Sequence, residues 1–242
     1  IDYYLNNNQH KNVVISFFDE KGKIINSFSS NLTENKVSDS YNMELSEFTF
    51  NKTYKVTNKI GYNRFRWNLR HYGIEDKDEE KALNGPFVKP GKYKVQVSVD
   101  NNYLMEKEFL VIKDPNTEIS QDIFTEVEEF QLKLIDKIKQ ATKLANEIKS
   151  KRSNKKIKKN KLENLNKTLE ILETKDGNYM QPMLIDQLKY LYNMISRADQ
   201  VLGKDAYDRY KELSLQLEKI TMKQLLYLKV KMGIKIIYLG KI

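Results

Sequence analysis

The spacing of apolar residues changes near residue 118, and this change constrains the fold more than any other feature. Before it, apolar and polar side chains alternate, as they do between Tyr93 and Val99. After it, apolar side chains recur every three or four residues, beginning with Phe124. Alternation is typical of a half-buried strand, and the longer interval of an amphipathic helix. The sequence therefore predicts an α+β chain of two domains, a β domain over 1–115 and a helical domain over 118–222.

Turn signals divide the β domain into several short strands. Two apolar stretches between residues 13 and 28 flank the turn Asp19–Gly22, which predicts a hairpin. In 60–70, three apolar side chains alternate with arginine and asparagine, which predicts one continuous strand. The stretch 31–59 is polar and without a period, so we expect a long insertion there. Short strands with frequent turns favour an antiparallel, immunoglobulin-like β-sandwich.

Four amphipathic stretches make up the helical domain. Ser120 is the predicted N-cap of the first, and the apolar stripe of the third runs to Leu202, where Gly203 ends it. Short connections between such helices favour an antiparallel helical bundle. Residues 223–242 mix Leu, Ile, Tyr and Lys without a sustained period, and we interpret them as an atypical basic, apolar tail. This tail is either a final strand pair or an aberrant end.

Cysteine and histidine are scarce, which excludes several kinds of chemistry. The 242 residues include no cysteine and two histidines, His10 and His71. A disulfide scaffold, a thiolate zinc site and a cysteine nucleophile are therefore excluded, and a Ser-His-Asp triad is poorly provisioned. The acidic run Glu75–Glu80 lacks the alternating ligands and the mid-loop glycine of a calcium loop. We predict no catalytic residue, no cofactor and no metal site in this chain.

The net charge of +9 is concentrated in the helical part. Residues 1–117 hold 17 basic and 16 acidic side chains, whereas Lys149–Lys161 holds eight basic side chains and no acid. Such a run can contact phosphates and release their counterions. It has no aromatic side chain on which a base can stack. A solvated tip between two helices is the favoured interpretation, and nucleic acid is the less favoured partner. The candidate contacts are Lys155, Lys156, Lys158 and Lys159.

The run around Trp67 carries the other candidate contacts. An exposed tryptophan can stack on a sugar ring, but its alternation with apolar neighbours favours a core position. Arg64, Arg66 and Arg70 alternate with those apolar residues, so they either grip a carboxylate or form a solvated sheet face. The solvated face is the favoured interpretation.

Four further residues are predicted to have structural roles. Asn63 is expected to bond nearby backbone rather than a ligand. Pro90 and Gly91 restrict the approach to the next strand. Tyr93, which follows them, is expected to be buried with its hydroxyl capping backbone, as in the tyrosine corner of β-sandwiches.

Three segments carry a resemblance to a known family. The segments are Gly61–Arg70 (GYNRFRWNLR), Gly85–Val95 (GPFVKPGKYKV) and Asp114-Pro115. They closely resemble the C-terminal region of bacterial secreted proteins with a sortilin-like, BNR-repeat β-propeller, which are often labelled glycosyl hydrolases. The Asn-x-x-x-Trp and Pro-Gly-x-Tyr layout is also similar to FlgD-type immunoglobulin-like modules. The resemblance covers residues 1–220 and is most specific in 61–95, while the propeller itself, where any catalytic residues of the family lie, is absent.

The resemblance implies a partner and a location. The partner is an upstream β-propeller domain of the same polypeptide, and the location is extracellular, periplasmic or at the outer cell surface. A start at Ile1 rather than Met, directly in a strand, also indicates a piece of a longer chain. No run of 18 apolar residues occurs, so no membrane span is expected.

We compare three functions. The leading hypothesis is a non-catalytic accessory region that scaffolds or presents the propeller, so this chain is not itself expected to be an enzyme. The second is a carbohydrate-contacting part of a full-length glycoside hydrolase. The third is an anionic-surface or nucleic-acid binder that uses Lys149–Lys161. Other proteins and glycans are the remaining candidate partners.

Overall fold

The chain has an α+β fold, as predicted, with two antiparallel sheets and four helices among the described residues. It divides into two compact units, Ile1–Glu129 and Phe130–Ile242. None of the helices described is long and apolar enough to cross a membrane. The computed structural model describes residues 1–6, 12–31, 56–74, 82–100, 102–153, 157–177, 179–197 and 201–231. Most of the predicted insertion at 31–59 and the end of the predicted tail therefore lie outside the described residues.

Six strands form the two sheets of the first unit. The larger sheet has the order β3-β2-β5-β6, and the smaller one pairs β1 with β4. All these pairings are antiparallel. The strands are β1 (Asp2–Leu5), β2 (Val13–Asp19), β3 (Ile24–Ser29), β4 (Gly61–Arg64), β5 (Gly91–Val99) and β6 (Asn102–Val111).

The predicted hairpin between residues 13 and 28 is present as β2 and β3. Asp19 Oδ1 accepts hydrogen bonds from the amides of Lys21 and Lys23 at 3.0 and 2.8 Å. Gly22 adopts φ 80°, a left-handed conformation that costs glycine less than other residues. The local turn chemistry therefore explains why this hairpin was predictable.

The strand predicted to run to Arg70 ends instead at Arg64. Phe65 is buried and Trp67 is half-buried, in agreement with their apolar alternation. Leu69, however, adopts φ 57° and is 40% exposed. A left-handed residue breaks the pleat of a strand, so the third apolar side chain turns outward. The prediction of one continuous strand to Arg70 was therefore wrong.

Both sheets contribute to one hydrophobic core, with Phe17 near its centre. The Phe17 ring contacts those of Phe28, Phe65 and Trp67, with centroids 6.0, 6.4 and 4.1 Å away. The side chains that are only partly buried belong to β1, β5, β6 and the segment after β4, so the core is least covered there. These side chains are Tyr3, Trp67, Val97, Phe109 and Val111.

The four helices begin close to the predicted positions, but two of them end elsewhere. Helix α1 begins directly after Ser120, the predicted N-cap. Helix α3 ends well before Leu202, and α4 continues nine residues into the predicted tail. The helices are α1 (Gln121–Arg152), α2 (Lys159–Leu172), α3 (Leu184–Ile195) and α4 (Lys204–Lys231).

A contact distant in sequence accounts for the early end of α3. Gln131 Nε2 donates to the carbonyl oxygen of Ile195 at 3.2 Å and lies 3.3 Å from Ser196 Oγ. The amide of Ser196 donates in turn to the Tyr192 carbonyl at 3.1 Å. A terminal carbonyl of the helix is thus satisfied by a side chain, which the apolar spacing to Leu202 does not reveal.

The helices of the second unit do not all run antiparallel. Phe130 of α1 contacts the ring of Tyr207 of α4, and further along both helices Lys137 lies 3.3 Å from Glu218. Because both contacts advance together, α1 and α4 run in the same direction. The predicted antiparallel bundle did not include such a pair. Helices α3 and α4 also contact each other, since Arg209, one turn into α4, bonds Gln187 near the start of α3.

Candidate functional site

The three candidate arginines do not converge on one site. Arg64 makes two hydrogen bonds to the Asp2 carboxylate, at 2.6 and 2.9 Å, and these hold the pKa of Asp2 well below its usual range. Arg70 donates to the carbonyl of Gly85 at 2.8 Å, and its guanidinium lies 3.5 Å from the centroid of the Phe87 ring. Arg66 is exposed. Two of the three are therefore engaged within the chain, and only Arg66 is left to contact a partner.

The residues predicted to be structural make local contacts. Asn63 donates to the carbonyl of Lys59 at 2.8 Å and to that of Gly61 at 3.0 Å. Tyr93 is buried, and its hydroxyl donates to the Lys89 carbonyl at 2.6 Å. These bonds tie turns to strands and leave neither side chain for a ligand.

Pro90 and Gly91 lie next to this contact, at the start of β5. The carbonyl oxygen of Pro90 accepts a hydrogen bond from Gln121 Nε2 at 2.7 Å. Gly91 is the first residue of β5. The start of β5 is thus held by backbone and side-chain bonds, as a structural role requires.

Trp67 lies on the core rather than on an open platform. Its ring is stacked on that of Phe17, with the centroids 4.1 Å apart and the planes at 17°. Its indole nitrogen donates to the carbonyl of Arg70 at 3.2 Å. One face of the indole is therefore covered, which leaves less ring surface for a sugar than the sugar-stacking alternative needs.

Glu128 is the buried carboxylate among the described residues of the first unit. Glu128 Oε1 lies 2.8 Å from His71 Nε2 and accepts from the Lys89 amide at 3.1 Å. The Lys89 ammonium lies 3.8 Å from the other oxygen. The carboxylate therefore links His71 and Lys89 to the start of α1. The sequence analysis missed the His71–Glu128 contact because 57 residues separate the two.

An apolar cleft of about 990 Å³ opens in the first unit. Trp67 and Phe65 form its floor with Val97 and Phe109, and Met105 stands at its mouth, 63% exposed although it shares a strand face with core residues. Volumes of this size are typical of ligand pockets, which are mostly apolar with a few polar groups. The cleft therefore has the size and the largely apolar lining of a binding surface.

One wall of the cleft is the backbone edge of strand β1. All five residues from Ile1 to Leu5 line it, whereas none of Gly61–Arg64 in the partner strand does. Because consecutive residues of a strand point to opposite faces, only an edge can present all of them to one cavity. No other described strand pairs with this edge, so the wall consists of backbone groups as well as side chains.

Two basic side chains also line the cleft. Arg66 and Lys107 are both exposed and make no ion pair with another described residue. The acids of the lining, Asp2 and Glu108, pair with Arg64 and with Lys94, at 2.6 and 3.7 Å. The uncompensated charge of the cleft is therefore positive.

The outer face of the β1–β4 sheet carries an aromatic pair that the sequence analysis did not single out. Tyr4 and Tyr62 lie directly opposite each other and are 71% and 64% exposed. The Tyr62 hydroxyl lies 3.1 Å from Arg64 Nη2, and that guanidinium lies 5.9 Å from the Tyr62 ring centroid. The alternation in Asp2–Leu5 was the sequence signal for this pair. Neighbouring residues of a strand point to opposite faces, so Tyr4 is expected on the exposed face when Leu5 is buried.

The lysine-rich run is only partly described. Lys155 and Lys156 lie outside the described residues, while Lys158 and Lys159 are exposed at the start of α2. Lys149, at the other end of the run, lies 2.7 Å from Glu173. Binding of an anionic surface through this run stays a prediction.

No metal cluster is found among the described residues, and the acidic run Glu75–Glu80 lies outside them. The second unit has a groove of about 940 Å³ between α3 and α4, with Tyr190 and Val201 exposed along it. No protein-family model, curated protein or solved structure matches this chain. We therefore infer a function for this chain from the geometry of the cleft.

Proposed function

We propose that this chain is a non-catalytic accessory region of a larger secreted protein. The first unit is an immunoglobulin-like sandwich, and the second is a helical bundle. The region scaffolds or presents an upstream β-propeller domain of the same polypeptide. The resemblance of 61–95 to sortilin-like secreted proteins supports both the propeller and the location outside the cytoplasm.

The apolar cleft of the first unit carries this proposal. Its lining residues Val97, Phe109 and Trp67 have apolar side chains that are only partly buried, and Met105 is exposed. Contiguous exposed apolar surface marks a place where another surface packs. Some polar side chains of the lining, including Asp2, already make ion pairs within the chain. Such a lining suits docking better than catalysis.

Calorimetry with the upstream domain tests the proposal. The coding sequence upstream of Ile1 is read, and the domain it encodes is expressed separately and titrated into residues 1–242. We expect a β-propeller, and binding with a negative heat-capacity change, because apolar surface is buried. A different upstream domain, or a titration without heat at several temperatures, would contradict the proposal.

Two matched variants localise the contact. Met105 and Leu110 are exposed to the same extent on β6, at 63% and 62%, but point to opposite faces of the sheet. Met105→Glu places a charge in the cleft and is expected to weaken binding at least tenfold, which is about 1.4 kcal/mol. Leu110→Glu is expected to leave the affinity unchanged.

A second candidate function is carbohydrate binding, favoured by the exposed Tyr4–Tyr62 pair. Aromatic side chains contribute large, rigid surfaces with a polar end, and the bidentate Asp2–Arg64 pair places hydrogen-bonding groups beside them. In this alternative, the chain is the sugar-contacting part of a glycoside hydrolase.

A glycan panel distinguishes the second candidate from the first. Binding that is lost in the double variant Tyr4→Ala/Tyr62→Ala and kept in Tyr190→Ala, an exposed tyrosine of the second unit, would support it. A flat titration by both calorimetry and Trp67 fluorescence would exclude it.

A further inference from the structure

Within the described part of the chain, no strand pairs with the outer edge of β1, which presents a regular set of hydrogen-bonding groups. Ile1 and Phe65 exchange both backbone hydrogen bonds, each at 2.8 Å. In an antiparallel pair, such residues alternate with residues whose amide and carbonyl point away from the partner strand. Continuing the register along β1, the amide and carbonyl groups of Asp2 and Tyr4 point away from β4 and toward the cleft.

The larger sheet is also left partly uncovered at β6 by the described residues. Strand β6 is an edge of the four-stranded sheet, and its core-facing residues include Met105, Lys107 and Phe109. Among the described residues, the smaller sheet has two strands facing four. Strands in a sheet lie about 4.8 Å apart, and packed sheets about 10 Å apart. One more strand beside β1 would therefore lie over these residues and cover them.

Charge restricts what such a strand can be. Arg66 and Lys107 line the cleft without acidic partners among the described residues. An incoming segment with an acidic side chain would pair with them, whereas a basic one would be repelled. The chemistry that fits is thus an extended peptide with apolar residues at alternate positions and at least one Asp or Glu.

We propose that this cleft is the seat of one further β-strand, donated by the domain against which the module packs; this inference rests on the function proposed above. The strand hydrogen-bonds to Asp2 and Tyr4, places its apolar side chains over Trp67 and Phe109, and directs an acid toward Lys107. Main-chain bonds supply affinity in such strand addition, and the alternate side chains supply specificity.

A strand fused to the whole chain tests the seat without the partner. The sequence Thr-Val-Thr-Val-Glu-Val is placed before Ile1 through a Gly-Ser linker of about six residues, long and flexible enough to let it turn back. A control carries the linker with Gly-Ser in place of the strand. The readouts are the midpoint of thermal unfolding and the emission of Trp67, the one tryptophan of the chain, which lines the cleft.

We expect the fused strand to raise the midpoint by about 5 °C over the control and to shift Trp67 emission to shorter wavelength. Tyr4→Pro is the matched variant, because proline removes an amide that β1 does not use toward β4. It is expected to abolish the rise while leaving the midpoint of the unfused chain within about 2 °C of its original value.

Three results would overturn the proposal. The first is equal midpoints for strand and control, and the second is a rise that persists in Tyr4→Pro. The third is an unfused chain whose midpoint increases with protein concentration and loses that dependence in Tyr4→Pro, since the occupant would then be a second copy. Loss of partner binding in the calorimetric titration, by contrast, contradicts the accessory function and leaves these midpoints unchanged.

Discussion

Tyr93 connects the start of β5 to the turn before it, because its buried hydroxyl donates to the Lys89 carbonyl at 2.6 Å. Burial raises the pKa of the Tyr93 phenol, and the nearby charges of Glu128 and Asp19 raise it further. The phenol therefore stays protonated, and it stays a donor, over the whole physiological range.

Removing this hydroxyl is expected to destabilise the first unit. Tyr93→Phe leaves the partly buried carbonyl of Lys89 without this donor, and we expect a loss of about 1 kcal/mol in the free energy of unfolding. Urea titration followed by Trp67 fluorescence measures the change. Tyr4→Phe, at an exposed position, is the control, and equal stability of the two variants would contradict the role given to Tyr93.

The same phenol predicts a dependence on pH. An acid whose pKa is raised by folding contributes its full stability below the unfolded pKa, about 10 for tyrosine, and that contribution is lost as the pH rises further. Between about pH 10 and pH 12 the free energy of unfolding should therefore fall more steeply for the wild type than for Tyr93→Phe. Parallel slopes would show that Tyr93 does not titrate with unfolding.

At the scale of elements, the end of α4 departs most from the sequence-based expectation. Residues 223–231 continue the helix, and buried Gln224 donates to Thr168 Oγ1 of α2 at 2.7 Å. The mixed composition of 223–242 does not predict that the helix continues, because the apolar stripe weakens there. The packing contact is made instead by a polar side chain, Gln224.

A double-mutant cycle tests this helix–helix contact. Gln224→Ala and Thr168→Ala are expected to show a coupling energy of about 1 kcal/mol in chemical unfolding followed by circular dichroism. Exposed Lys223→Ala with Thr168→Ala is the control pair. A coupling near zero for the first pair would mean that α4 does not reach α2 at this residue.

Local signals predicted most of the strands, the hairpin turn and the start of α1, because each depends on residues close together in sequence. The end of α3 involves Gln131, and the outward turn of Leu69 follows from its left-handed backbone, and no local pattern specifies either. The cleft was not predictable for the same reason. Its walls come from Ile1–Leu5, from the segment after β4 and from β5 and β6, which meet only in the folded sheets.

At the scale of the whole molecule, the charge of +9 does not indicate a nucleic-acid surface. Several lysines of the second unit are paired, including Lys137 with Glu218 and Lys175 with Glu170, at 3.3 and 3.0 Å. Paired cations release fewer counterions when they approach phosphates. The excess charge is therefore carried by other basic side chains, among them exposed Lys158 and Lys159.

We therefore expect only non-specific affinity for duplex DNA, with a dissociation constant of about 10⁻⁴ to 10⁻⁶ M at physiological salt. Fluorescence anisotropy at two salt concentrations measures it. Neutralising Lys155, Lys156, Lys158 and Lys159 to Gln should weaken it severalfold, because fewer counterions are then released. Nanomolar affinity that disappears in that variant would instead favour the anionic-surface function.

Amide hydrogen exchange along β1 tests the docking account most directly. In the isolated chain, the amides of Tyr3 and Leu5 should exchange slowly because they bond β4, whereas those of Asp2 and Tyr4 should exchange fast at the free edge. On addition of the upstream domain, the account predicts that Asp2 and Tyr4 become protected. Fast exchange of both amides in the saturated complex would contradict it.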